Sequence, residues 1–135
     1  MTLSQFFKAI GAPLKNNRWS WGALSHDRRS IFLRIYDDEI RKFDGKQYVQ
    51  VTAFEKFGLT SNHGWNERLD QLKKVKAGKS VYLISCVAKD VTQTPRKVKY
   101  FDADMLWEGG SLLYKEGDFW LELKHRVDVT PFLQR

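Results

Sequence analysis

Apolar and polar residues alternate in short runs over most of the chain, and two segments have helical spacing instead. A capping box at residues 2–5 begins the first of these helices, and Gly11 ends it after about two turns. The second predicted helix spans 65–77 and ends at Gly78, with four apolar residues on one face: Trp65, Leu69, Leu72 and Val75. The pattern therefore predicts two helices in a chain that otherwise consists of strands.

The first strands are predicted from alternating apolar runs that polar turns separate. Segments 18–23 and 30–36 flank the polar stretch 25–29, which is typical of a hairpin. An aspartate and a glycine at 44–45 indicate a second tight turn, and a further strand is predicted over 48–52.

The run 81–88 is apolar at nearly every position, which favours a central strand buried on both faces. The last third of the chain predicts three more strands, which turns at 109–110 and 116–118 interrupt: 98–101, 111–114 and 119–123. This order of elements predicts one α+β domain over residues 1–135, with two helices and a curved mixed or antiparallel sheet or a partly closed β-barrel.

The chain is basic, and its charge indicates a class of binding partner. It carries 23 lysines and arginines against 16 acidic residues, a formal net charge of +7. Such a charge attracts polyanions, so nucleic acid is the leading class of partner. The alternative is that a modest positive charge only keeps a small domain soluble.

Other residue types limit the chemistry. Cys86 is the single cysteine and lies in an apolar run, where a thiol packs as a small hydrophobic group, so no disulfide is expected. Cys86, His26, His63 and His125 lack the spacing of a zinc site, and no metal or other cofactor is predicted. The chain shows no leader pattern and no apolar run of membrane-spanning length, so a cytoplasmic protein is expected.

Two tryptophans form the most distinctive segment. If residues 18–23 are a strand, Trp19 and Trp21 lie on the same face, where they could form an aromatic platform on which bases stack. Asn17, Arg18 and Ser20 supply hydrogen-bond donors beside them. The alternative is that either indole belongs to the core, as most tryptophans do.

Three consecutive acidic residues follow the next predicted strand. Asp37 or Asp38 could accept a hydrogen bond from the amino group of a base, as carboxylates do from cytosine. A solvated turn, or an ion pair with Arg34 or Arg41, is the alternative.

Phosphate contacts are predicted from donors at a helix start and from cations on a loop and a helix face. The loop at 89–99 is basic and polar, and a solvated loop without a partner is its alternative. The residues predicted to contact a nucleic-acid backbone are Asn17, Arg18, His63, Arg68, Lys73, Lys89, Arg96, Lys97 and Lys99.

A metal-dependent nuclease of the PD-(D/E)xK kind is the enzyme alternative. It would use Asp102 or Asp104 with Glu122 and Lys124 to hold a divalent ion and activate water. A second triplet of this kind, at 44–46, lies at an obvious turn, so a match by chance is expected.

The chain resembles the sensor modules of bacterial HNH-type modification-dependent restriction endonucleases. The segments that carry this resemblance are 18–22 (RWSWG), 32–39 (FLRIYDDE), 67–69 (ERL) and 79–84 (KSVYLI). The helix that ends at a glycine and enters an apolar strand, 76–83, is also similar to the PUA-like superfamily, whose EVE, YTH and SRA members recognise altered bases.

This resemblance implies a curved sheet with an aromatic pocket for a flipped base. The pocket positions it implies are Trp19, Trp21, Trp65 and Asp37 or Asp38, with Ser20 beside them. The histidines lack the neighbouring residues of an HNH nuclease, so cleavage would need a separate nuclease subunit. The expected function is a non-enzymatic DNA-binding module, associated with restriction, that recognises a modified or flipped base. A PUA-like RNA-binding protein is the main alternative.

Overall fold

The computed structural model describes residues 1–57, 62–94 and 96–134. Its helices are α1 (Leu3–Ala9), α2 (Phe54–Phe57) and α3 (His63–Lys76), with 3-10 turns at Asp37–Glu39 and Thr130–Phe132. Its strands are β1 (Gly22–Leu24), β2 (Ser30–Tyr36), β3 (Ile40–Phe43), β4 (Lys46–Gln50), β5 (Ser80–Ala88), β6 (Val98–Phe101), β7 (Met105–Lys115) and β8 (Asp118–Asp128).

The described strands form one mixed sheet in the order β1-β2-β5-β7-β8-β4-β3, with β6 paired to β5. The pair β2–β5 is parallel, in register from Ser30 opposite Ser80 to Tyr36 opposite Cys86, and the other described pairs are antiparallel. The sheet does not close into a barrel. The predicted α+β class with a mixed sheet is confirmed at this level.

Capping explains where the helices begin. The Thr2 hydroxyl accepts from the Gln5 amide and the Gln5 side chain accepts from the Thr2 amide, which completes the predicted capping box of α1. The Asn62 side chain caps α3 by accepting from the Trp65 amide. Gly78, at φ +114°, follows the end of α3. Both predicted helices are confirmed, whereas α2 was not expected.

Tight turns join the hairpins. Asp44 and Gly45 both have positive φ and join β3 to β4, and Glu116 and Gly117 do the same between β7 and β8. The prediction that glycines 109–110 separate two strands was wrong, because both lie inside β7. The register of β7 against β8 shifts at this point, so the glycines form an irregularity within a strand.

The core has two clusters on opposite sides of the sheet. One packs α1 on β2, β5 and β7 through buried residues that include Phe6, Phe7, Phe32, Ile84 and Leu106. The other packs α3 on β2, β4, β5 and β8 through Leu33, Val49, Leu72, Leu83 and Leu121, among others. The continuous apolar run of β5 serves both clusters, as predicted for a central strand.

Cys86 packs in the first cluster, and burial raises the pKa of its thiol to about 12. This agrees with the prediction that the thiol packs as an apolar group. No helix in the described part of the chain is long and apolar enough to cross a membrane.

Candidate functional site

A cavity of about 100 Å³ lies between the second half of β2, the segment after β4, and the helices α2 and α3. Three aromatic residues line it: Trp21, Tyr36 and Phe57. Four basic residues also line it: Arg34, Lys56, Arg68 and Arg96. The remaining lining residues are Ile35, Glu39, Gln50, Val51, Thr52, Ala53 and Thr94. Aromatic surface and charge thus meet in one partly buried space.

Arg68 holds the backbone together at one wall of this cavity. Its side chain is 5% exposed and donates to the carbonyl oxygens of Val51 at 2.9 Å, Arg34 at 2.9 Å and Trp21 at 3.2 Å. A backbone hydrogen bond from the Arg34 amide to the Trp21 carbonyl, at 3.0 Å, already continues the β1–β2 pairing, and Arg68 adds the Val51 segment to these two. Burial lowers the pKa of Arg68 to about 10, so the guanidinium stays charged at neutral pH.

The prediction that Arg68 contacts phosphate was wrong, because its guanidinium is buried and bonded to the protein's own backbone. The sequence contained the signal for this. Arg68 lies three residues after Trp65 and four before Leu72, which places it on the apolar face of α3.

Trp21 is fixed in the wall by close backbone packing. Gly64 of α3 lies against it so tightly that an added Cβ would stand 2.5 Å from the indole atom Cε2 and 2.5 Å from the Trp19 carbonyl oxygen. The Trp21 ring centre is 5.2 Å from that of Phe57, and the Arg68 guanidinium carbon is 5.9 Å from the indole. Trp21 thus lies in the cavity wall, and its role in a base pocket stays a prediction.

Trp19 and Trp65 do not join Trp21 in the wall. The predicted common face of Trp19 and Trp21 was wrong, because β1 begins only at Gly22 and Trp19 lies in a turn, where its ring packs 5.3 Å from that of His63. Trp65 is 3% exposed and packs behind the wall, with its ring centre 5.9 Å from that of Phe57. Each of these two indoles has a packing role.

Ser20 is buried and also serves the structure. Its hydroxyl donates to Glu67 Oε2 at 3.1 Å and accepts from the Asn16 amide at 3.0 Å, which ties the segment before β1 to α3. Burial raises the pKa of Glu67 above its ordinary value of 4.5. Ser20 does not line the cavity.

Tyr36 forms a second aromatic surface, at the end of β2. The guanidinium carbon of Arg96 lies 5.1 Å from its ring centre, and that of Arg34 lies 5.9 Å away. The Tyr36 hydroxyl is buried with no hydrogen-bond partner among the residues that the structure describes, and burial raises its pKa. This ring therefore sits between two cations at the cavity.

The acidic turn supplies a different residue from those expected. Asp38 is exposed and forms a two-pronged ion pair with Arg96, at 2.8 and 2.9 Å, so its carboxylate is already neutralised. Asp37 is also exposed, and neither aspartate lines the cavity. Glu39 lines it instead, because a 3-10 turn of three residues directs successive side chains to different sides.

Glu39 is the carboxylate of the cavity. Its Oε1 lies 3.7 Å from Arg96 Nη1, and its side chain is about a quarter exposed. Burial raises the pKa of Glu39, and the Arg96 guanidinium acts in the opposite direction.

Most of the residues predicted to contact phosphate are exposed: Asn17, Arg18, His63, Lys73, Lys89, Lys97 and Lys99. Arg18 and His63 lie close to Trp21 in the chain or in space, whereas Lys89 and Lys97 belong to the loop that also carries Arg96. Exposure leaves these side chains available to a polyanion, and their role stays a prediction.

The carboxylates of the nuclease alternative lie apart. Asp102 pairs with Arg126 at 2.5 Å and accepts from the Met105 amide at 3.0 Å. Glu122 accepts from the Ser111 amide at 3.1 Å, farther along the β7–β8 hairpin. Within residues 1–57, 62–94 and 96–134, no three histidine, cysteine or acidic side chains are placed to hold a metal ion.

Several cavity residues were not predicted as site residues, chiefly Arg34, Tyr36, Lys56 and Phe57. Arg34 had a signal, since it is the one charged residue in the apolar run of β2. Lys56 and Phe57 lie on α2, for which the sequence pattern gave no indication.

No known protein family matches the chain, and neither the curated proteins nor the solved structures contain a significant match. The PUA-like resemblance therefore stays a prediction.

Proposed function

We propose that this protein is a DNA-binding module that holds a modified or flipped base in the cavity bounded by Trp21, Tyr36 and Phe57. The observation that carries the proposal is the union, in one partly buried space, of aromatic walls, a single carboxylate and several cations. A flipped base is held by stacking on aromatic side chains and by hydrogen bonds to its edge.

The aromatic walls supply the stacking. Trp21 and Phe57 are in ring contact with each other, and Tyr36 also lines the cavity. Stacking of a base on an aromatic side chain contributes about 1 to 3 kcal/mol, which is comparable to the few kcal/mol that extrusion from a duplex costs. Stacking alone is thus close to sufficient for holding an extruded base.

Glu39 is the group best suited to recognise the edge of the base. Two other polar side chains of the lining already form hydrogen bonds within the protein. The Gln50 amide nitrogen donates to the Thr52 carbonyl oxygen and to Asp118, and the Thr52 hydroxyl donates to Asp118. Glu39 accepts no hydrogen bond from a described residue and has only the longer contact with Arg96. A carboxylate accepts from an exocyclic amino group, which cytosine, adenine and guanine carry and thymine lacks.

The exposed cations supply affinity without specificity. With a net charge of +7 and exposed lysines on the loop that also borders the cavity, association with DNA should fall steeply as salt rises. Lys97→Ala should weaken binding to modified and unmodified duplexes equally, because phosphate contacts carry no sequence information. Association with restriction, through a separate nuclease subunit, belongs to the same proposal.

The test is a binding titration against duplexes that carry unmodified, methylated or hydroxymethylated bases. Trp21→Leu should remove the preference for a modified base and leave the salt-dependent background binding. Trp107→Leu is the matched control, because Trp107 is also half-buried and also lies beside an arginine, Arg126 at 4.8 Å, but on β7 outside the cavity. Equal affinity of the wild type for every duplex would contradict the proposal. A clear preference for matched RNA would assign the cavity to RNA, since the 2′-hydroxyl distinguishes the two.

A further inference from the structure

The charges that line the cavity do not balance. Four basic side chains line it, and Glu39 is the one acidic residue among the lining residues. Arg96 is neutralised from outside the cavity by its ion pair with Asp38. The cavity therefore keeps an excess of positive charge in a partly buried, aromatic environment, where an unpaired charge is costly.

Among the described residues, the lining cations Arg34 and Lys56 have no hydrogen-bond or ion-pair partner, and Arg34 is the one that is not exposed. No carboxylate or carbonyl among the described residues accepts a hydrogen bond from its guanidinium, which is half-buried and lies 5.9 Å from the ring centre of Tyr36. It also lies close enough to Arg68 to lower the pKa of that residue, an effect second only to burial. Three guanidinium groups thus line the same cavity, and Arg34 has no acidic partner in the described part of the chain.

Arg68 shows what an arginine with a purely structural role looks like in this fold. Its guanidinium donates to three carbonyl oxygens and is almost fully buried. Within residues 1–57, 62–94 and 96–134, the Arg34 guanidinium makes no such bonds, and it lies beside an aromatic ring. A planar guanidinium with free donors is suited to bind a carboxylate or a phosphate with two parallel hydrogen bonds.

We infer that the cavity takes a ligand in which a planar ring is joined to an anionic group, and that Arg34 binds the anion while Trp21 and Tyr36 contact the ring. The inference rests on the proposed function, because a flipped nucleotide is a ligand of this class. It adds that negative charge on the ligand is required. The charge has two possible sources, the phosphate of the nucleotide or a carboxylate on the base itself.

The experiment uses the whole protein and small ligands, without DNA. Titration calorimetry and tryptophan fluorescence would compare cytidine, cytidine monophosphate, cytidine with a carboxylate on its ring, and inorganic phosphate. We expect at least one anionic nucleoside ligand to bind about tenfold or more tightly than cytidine. Tight binding of the monophosphate identifies the phosphate as the anion, and tight binding of the ring carboxylate identifies a modified base.

Variants separate the role of Arg34 from folding. Arg34→Gln should abolish the preference for the anionic ligand and retain the affinity for cytidine, whereas Arg34→Lys should keep part of the preference. Arg126→Gln is the matched control, since Arg126 is a half-buried strand arginine beside an indole outside the cavity. Thermal melts establish that each variant is folded. If Arg34→Gln does not fold, the inference is judged on Arg34→Lys, which should bind the anionic ligand with a reduced preference.

Three results would overturn the inference: equal affinity for cytidine and its charged analogues, unchanged preference in folded Arg34→Gln, or no binding of any anionic ligand at millimolar concentration. The proposed function is judged separately, by the duplexes. A protein that distinguishes modified duplexes but ignores small anions loses this inference alone. A protein that binds the monophosphate through Arg34 but treats all duplexes alike loses the proposed function alone.

Discussion

The β7–β8 hairpin and the cavity region supply hydrogen-bond donors to buried backbone carbonyls by different means. In the hairpin, backbone groups pair with each other from Met105 opposite Asp128 to Lys115 opposite Asp118, with irregularities only near the glycines. Beside the cavity, the side chain of Arg68 donates to the carbonyls of Val51, Arg34 and Trp21, and among the described residues only the Trp21 carbonyl accepts from a backbone amide as well. A buried carbonyl needs a donor in either case. A side-chain donor leaves strands unpaired and creates space between them, and a ligand can enter such space.

Arg68→Met is the substitution for which this comparison predicts the largest loss of stability. The substitution keeps much of the side chain's bulk and leaves the carbonyls of Val51 and Arg34 without the Arg68 donor, whereas the Trp21 carbonyl still accepts from the Arg34 amide. Each unsatisfied group costs about 1 to 3 kcal/mol, so we expect the free energy of unfolding to fall by at least about 2 kcal/mol. Urea unfolding followed by circular dichroism measures this directly.

Arg126→Met in the hairpin is the matched control. Arg126 bonds mainly to Asp102 near the surface, so its loss should cost no more than about 1 kcal/mol. Similar losses for the two variants would mean that Arg68 does not replace backbone pairing as described.

Gly64→Ala should have the next largest effect. The new Cβ would stand 2.5 Å from the Trp19 carbonyl oxygen and from the Trp21 ring, so the wall of the cavity must shift. Overpacking of this kind costs about 1 to 3 kcal/mol, which outweighs the roughly 1 kcal/mol by which alanine favours a helix over glycine.

Gly109→Ala is its counterpart in the hairpin, where the new Cβ would stand 2.5 Å from Val81 Cγ1. Both variants should melt earlier, but only Gly64→Ala should weaken ligand binding at temperatures where it is folded. Loss of binding in Gly109→Ala, or full binding in Gly64→Ala, would break the comparison.

Glu67→Gln should show a smaller effect that depends on pH. Burial raises the pKa of Glu67 in the folded protein, so the folded state binds this proton more tightly than the unfolded state does. Wild-type stability should therefore fall, relative to the variant, as pH rises from the ordinary value of 4.5 through the folded pKa. The difference should stay within about 1 kcal/mol, because solvent screens a half-buried charge.

Urea midpoints between pH 4 and pH 8 would measure this difference, with the exposed turn variant Glu116→Gln as control. A difference between wild type and Glu67→Gln that does not change with pH would refute the assigned pKa direction.

Asp38→Asn should have the smallest effect on stability. The Asp38–Arg96 ion pair has good geometry, yet the Asp38 side chain is 38% exposed, and exposed pairs contribute about 0.2 to 1 kcal/mol. Thermal melts at low and high salt would measure it. A loss of stability well above about 1 kcal/mol would mean that this ion pair supports the fold, as the hydrogen bonds of Arg68 do, and is not a minor surface contact.

Local sequence patterns predicted the structural features that are determined by residues close together in the chain. The capping box of α1, the apolar face of α3, the turn at residues 44–45 and the buried run of β5 were all evident in the sequence, and each is confirmed. These features follow from periodicity and from backbone preferences within a few residues.

The cavity depends on residues that are distant in the chain. Trp21 and Arg34 are neighbours across the β1–β2 pairing, which the predicted hairpin implied, but no local pattern relates either of them to Val51 or Arg68. Of the residues predicted for the base pocket, Trp21 lines the cavity, and Arg68 and Arg96, which were predicted to contact phosphate, line it as well. Glu39 was passed over in favour of its two neighbours because the 3-10 turn, and not strand alternation, decides which acid faces inward.

The parallel pairing of β2 and β5 has a consequence for the order of folding. Ser30 pairs with Ser80, 50 residues later, whereas β7 and β8 meet across a two-residue turn at Glu116 and Gly117. Closing a long loop costs chain entropy before its contacts form, so the hairpin should form early and the β2–β5 pairing late. Because the cavity wall includes residues from β2 and from α3, which lies between the two strands, binding competence should be among the last properties that a refolding chain acquires.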